Sequence, residues 1–141
     1  MTVPATPRPT GHPGYSETLP CQEASAQAAR TLVKTALSAW QLEELTDTGV
    51  LLVTELVANA VKHTTTRLIR VAISRPSSTW VRIGVTDKSR ILPHLKKANG
   101  DNLPASGRGL VLIDALTDRW GTDLYRWGKH VWADLKVEEQ A

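Results

Sequence analysis

Phenylalanine is absent from this 141-residue chain, and methionine and cysteine occur once each. Each shortage excludes something. A lone Cys21 permits no internal disulfide and argues against a cysteine-based metal site. It is expected to pack as a small apolar residue. No apolar run approaches the ~20 residues that span a bilayer, and the first residues lack the basic-then-apolar order of a secretion signal. A soluble, cytoplasmic protein without membrane contact is expected. Charge of one sign is also scarce: 17 Lys and Arg against 14 Asp and Glu leave a formal net charge of +3. The basic residues are scattered, so no direct binding to nucleic acid is expected. A nucleotide would need only a few of them.

What is present suffices for one domain. Hydrophobic residues make up 41% of the chain, and without Phe the core must be filled by Leu, Val, Ala and the five Trp. Residues 1–14 are rich in Pro, Thr and Gly and read as a disordered tail. Residues 15–141 read as a single domain. A short strand is expected from Tyr15 to Leu19. A helix follows from about Gln22 to Trp40, with Ala24, Ala28, Leu32, Ala36 and Ala39 near one stripe. A second helix runs from about Asp47 to His63. The period then drops to two, with Ile69, Val71 and Ile73 before a Pro/Ser turn and Val81, Ile83 and Val85 after it, which predicts a hairpin. No period survives over 88–106, a long loop of the kind that serves function. A third helix over about 108–117 and strands near 121–127 and 130–137 complete the order. The expected fold is α/β: a two-layer sandwich of a mostly antiparallel mixed sheet with helices on one face.

Three features carry chemistry. On the second helix, Val53, Val57, Ala60 and Val61 share one side at 100° per residue, and Glu55, Asn59, Lys62 and His63 fall on the other. That stripe reads either as a solvated face or as a polar site; Asn, a poor interior helix former, favours the site. Asp87 has the parity of Val81, Ile83 and Val85, so it continues a face that is otherwise apolar. There it needs a partner, such as an exocyclic amine; the other reading ends the strand one residue earlier and makes Asp87 a loop cap. Third, Ser106-Gly107-Arg108-Gly109-Leu110 lies between the long loop and a helix. Glycines allow close backbone approach, and free N–H groups at a helix start favour phosphate. The same glycines could also serve the geometry of the joint alone.

In this order the three features resemble the GHKL ATPase superfamily, which has the Bergerat ATP-binding fold. ELVANAVKH (Glu55 to His63) resembles its N box, VTDKS (Val85 to Ser89) its adenine-binding box, and GRGLVLI (Gly107 to Ile113) the box that closes the ATP lid, with 88–106 as the lid loop. Among its members the chain is similar to the small bacterial anti-sigma-factor serine kinases. The resemblance implies ATP and Mg²⁺ as cofactors. It implies Asn59 as the Mg²⁺ ligand and Glu55 as general base. Asp87 would accept from the adenine amine. Gly107, Arg108 and Gly109 would wrap the phosphates, with Leu110 also in the nucleotide site, and Lys62 and His63 would line the polar rim. It also implies a sigma factor or an anti-sigma antagonist as protein partner, and a homodimer. The chain departs from the pattern after Asp87, where Lys88, Ser89 and Arg90 stand in place of glycines. It departs again at His130, where alignment places a threonine of the family's late strand. These departures keep open a second function, a regulator that binds its partner without catalysis. A detached histidine-kinase catalytic domain is a third, less favoured because no phospho-accepting His helix precedes the domain.

Overall fold

The computed structural model describes residues 6–7, 13–63, 66–88 and 105–138, with the backbone alone at 6–7 and 105–110. The described strands are β1 (Thr6–Pro7), β2 (Gly14–Pro20), β3 (Leu68–Ser77), β4 (Trp80–Asp87), β5 (Arg119–Tyr125) and β6 (Gly128–Lys136). The helices are α1 (Ser25–Ala39), α2 (Thr46–His63) and α3 (Ala105–Leu116), with a 3-10 turn at Glu43–Leu45. The strands form one sheet in the order β1-β2-β3-β4-β6-β5. Every described pairing is antiparallel, so the expected mixed character is not seen among them. Thr6–Pro7, within the stretch read as a tail, lies beside Ser16 and Tyr15.

Register explains where the core sits. Val71 pairs with Val85 and Ile73 with Ile83. Val85 in turn pairs with Val131, Ile83 with Ala133 and Val81 with Leu135. Period-two alternation thus lays one continuous apolar face across three strands. The three helices cover that face, with α2 in contact with both α1 and α3. Leu, Val, Ile and Ala supply the core. The Trp expectation holds only in part: Trp40 and Trp120 pack against the core while half-buried, none of the five is fully buried, and Trp127 is 55% exposed.

Helix α1 starts later than its period suggested. Cys21 to Ala24 form a turn, with the Cys21 N–H donating to the Arg67 carbonyl at 2.8 Å and the Ser25 hydroxyl donating to the Pro20 carbonyl at 2.6 Å. Its end is reversed through Gln41, whose φ of 59° is left-handed. There the Leu42 N–H donates to Leu37 O and the Gln41 N–H to Ser38 O. This pair of bonds satisfies carbonyls that the helix end would otherwise strand, and it turns Leu42 into the core.

Candidate functional site

Helix α2 carries the first group. Its buried residues are Gly49, Leu52, Val53, Leu56, Val57, Asn59 and Ala60. The buried arc is therefore centred nearer Leu56 than the sequence suggested, because α3 packs on α2 as well as α1. Val61, assigned to the apolar side, is only half-buried, and Asn59, assigned to the opposite side, lies within the buried arc at 6% exposure. Its amide oxygen Oδ1 is buried and accepts no hydrogen bond among the described residues. An orphaned amide oxygen in an apolar setting is costly unless a ligand completes it. A hard oxygen donor of this kind fits Mg²⁺, which takes one or two protein oxygens and fills its shell with phosphate and water. Among the described residues no group of three or more His, Cys, Asp or Glu could hold a metal alone, so such an ion would depend on phosphate.

Glu55 stands one turn before Asn59 and is half-buried; Lys62 is exposed and His63 half-buried at the C-terminal end of the helix. Of the four, only Asn59 is buried and only Lys62 is exposed. The bland reading of the stripe as a solvated face holds for Lys62 and not for Asn59.

Asp87 ends β4 on the core-facing side and is 3% exposed, so the alternative in which it lies beyond the strand is excluded. Its carboxylate Oδ1 accepts from Lys129 Nζ at 3.1 Å, and the two side chains are 1% and 0% exposed. The pairing follows from register, because Asp87 is the cross-strand neighbour of Lys129 on β6. Gly128 makes room for it, since a Cβ there would collide with the backbone of Asp87 and Lys88. The resemblance puts His130 at the family's late-strand threonine position. It pairs instead with Thr86 and points to the other face, where its ring lies over Gly84 in space that a Cβ would fill. The residue beside Asp87 is Lys129.

The glycine segment also departs from expectation. Helix α3 begins at Ala105, so Gly107, Arg108, Gly109 and Leu110 lie within its first turns and not in a turn before it. The first four N–H groups of any helix lack intrahelical partners, so an anion could still be met there by backbone. Residues 89–104, most of the lid loop 88–106, lie outside the described residues.

Sequence reasoning missed a second polar centre, on the sheet face away from the helices. Asp134 on β6 is fully buried. It accepts from Arg82 Nε at 2.8 Å and Nη2 at 3.0 Å, and from Arg119 Nε at 2.6 Å. Burial alone would push its carboxyl up, but the hydrogen bonds and charges of the two guanidinium groups outweigh that and hold it below the usual carboxylate range. Each arginine also stacks on a Trp, Arg82 over Trp132 and Arg119 over Trp80. The alternation that put Trp80 and Trp132 outside the core was the available signal. Elsewhere, burial pushes the Cys21 thiol up, consistent with a packing role. No helix among the described residues is long and apolar enough to cross a membrane.

Comparison with known families matches residues 19–133 to the histidine kinase-like ATPase domain. No curated protein matches the chain. The matched span contains α1, α2, α3, the buried Asn59, and both Asp87 and Lys129. The chain therefore belongs to the histidine kinase-like ATPase domain family, an ATP-binding regulatory domain of the GHKL type.

Proposed function

We propose that the chain is an ATP- and Mg²⁺-dependent protein serine kinase that regulates a sigma factor by phosphorylating its anti-sigma antagonist. One observation carries this reading above the others: the buried Oδ1 of Asn59, without a hydrogen-bond partner among the described residues, one helical turn from Glu55. When bound, Mg²⁺ would neutralise the phosphates and hold them for transfer. The protein's own part is positioning, which is most of what phosphoryl transfer requires. Asn59 would fix the metal. Glu55 would accept the proton of the attacking serine hydroxyl. The N–H groups at the start of α3 would face the phosphates. The sigma factor and antagonist come from the family resemblance.

The test is phosphotransfer. The protein is recovered from its native cell with whatever co-purifies, and the mixture is given radiolabelled ATP and Mg²⁺. Label on a partner serine, lost in Glu55→Ala and Asn59→Ala, is expected. No transfer to a verified partner by the unaltered protein would refute the kinase reading.

A second reading, a regulator that holds its partner without catalysis, is favoured by the Lys129–Asp87 ion pair. The carboxylate that would meet the adenine amine is already engaged. Calorimetry separates the two. Undetectable heat with millimolar MgATP for the unaltered chain, and clear binding by Lys129→Thr, would support the second. Comparable binding by both proteins would support the first.

A further inference from the structure

On β2 the core-facing positions are Tyr15, Glu17 and Leu19, opposite Ile73, Val71 and Ile69. An acid therefore stands in an apolar row. Glu17 is 9% exposed and makes no hydrogen bond or ion pair among the described residues. Burial pushes its carboxyl above the usual range, with no opposing partner. The same side chain lines a cavity of about 680 Å³ between β2 and α1. Apart from Glu17 the walls are mainly apolar, with Tyr15, Ala28, Leu32 and Ala36 among them, and the polar groups of Gln27, Thr31 and Thr35 stand at the exposed rim, Gln27 accepting from Arg30. Among the described residues none of α2, α3, β4 or β6 contributes, so this cavity is separate from the Asn59 region.

We propose that this cavity is a binding site for a small organic cation, an ammonium group carried on an apolar body, with Glu17 as its counter-charge. The volume lies within the ~300–1,000 Å³ of ligand pockets, which pair apolar walls with a few placed polar groups. Among the described lining residues the one charged group is negative and unpaired, so a cation supplies what it lacks, whereas an anion would be repelled and a neutral body would leave the carboxylate unsatisfied. The Tyr15 ring offers an aromatic face to the same charge. The site is independent of nucleotide binding and would stand if the kinase reading fell.

The test uses three probes of similar shape on the full chain: 2-phenylethylammonium, 2-phenylethanol and 3-phenylpropanoate. Amide chemical shifts are followed by heteronuclear NMR. The ammonium is expected to shift resonances around Tyr15, Glu17 and Leu32 saturably and to bind roughly tenfold or more tighter than the alcohol, with the carboxylate weakest. Glu17→Gln should erase the preference for the cation. Ala28→Leu, which narrows the cavity from the helix side, should weaken the ammonium with Glu17 intact. Equal binding of the three probes by the unaltered chain overturns the proposal, as does no binding of the ammonium or a shift pattern centred elsewhere. The comparison needs no variant to fold.

Discussion

Replacing Lys129 by Met removes a charge from a fully buried pair while keeping most of the volume. At 3.1 Å and an effective dielectric constant of ~20, Coulomb attraction is roughly 5 kcal/mol. Desolvating the two ions costs several kcal/mol each, so the pair as a whole is close to neutral for stability. Losing one partner is different, because a carboxylate then stays buried without its counter-ion, at a typical cost of ~3–5 kcal/mol. Asp87 has further interactions, which places the expectation near the lower end, about 3 kcal/mol. Total stability for a domain is only about 5–15 kcal/mol, so the loss should be conspicuous. Asp87→Asn in the Lys129→Met background should restore most of it, because no charge then remains buried. Urea unfolding followed by tryptophan fluorescence gives the three free energies and hence the coupling. If Lys129→Met loses less than about 1 kcal/mol, or if the two changes simply add, the pair does not hold the two strands in the way described.

Three further outcomes follow from the same geometry. Asn59→Leu should raise the stability of the ligand-free protein by about 1 kcal/mol, by removing an orphaned oxygen, and should abolish Mg²⁺-dependent ATP binding; thermal melts and calorimetry check both, and destabilisation would show that Oδ1 is satisfied in solution. Asp134 has a folded pKa below its ordinary 3.8, so its stabilisation is present above pH 3.8 and fades as pH falls through the folded value. Asp134→Asn should therefore lose about 2 kcal/mol at neutral pH, a figure reduced because Arg82 and Arg119 reach solvent, and denaturation midpoints should converge with the wild type in acid. Glu17 behaves in the opposite sense, its folded pKa lying above 4.5: relative stability falls as pH rises from 4.5 through the folded value and stays low at neutral pH. Glu17→Gln should gain about 1 kcal/mol there, with the gap closing below pH 4.5, which paired urea titrations at acid and neutral pH will reveal.

Much of this arrangement was legible in the sequence where periodicity is strong. Helix α2 is found within a residue of its expected start, and the β3–β4 hairpin follows the alternation of Ile69, Val71 and Ile73 with Val81, Ile83 and Val85. What escaped was set by neighbours distant in the chain. Asn59 lies within the buried arc that α2 presents to its neighbours, and α2 contacts both α1 and α3. Lys129 meets Asp87 only through the register of β4 on β6, 42 residues apart in sequence, and a one-residue offset exchanged it for His130. Asp134 lies on the outward parity and looks like a surface acid until two arginines, each resting on a Trp, close over it. Glu17 was findable: the argument applied to Asp87, an acid in an apolar phase, holds for Tyr15, Glu17 and Leu19 as well.

The strand order has a consequence for how the domain comes to be assembled. Strand β6 is the last of the described strands to be synthesised, yet it lies inside the sheet between β4 and β5. Until it arrives, β4 presents an unpaired apolar edge, and β5 has no neighbour at all among the described strands. Such edges are where chains associate wrongly. Both buried carboxylates, Asp87 and Asp134, meet their partners across the β4–β6 seam. Closing that seam late makes folding depend on non-local pairing, which slows it. A nascent chain halted before Gly128 would be an aggregation-prone intermediate with Asp87 exposed, and the buried pairs Asp87–Lys129 and Asp134–Arg82 could form only after translation had passed β6.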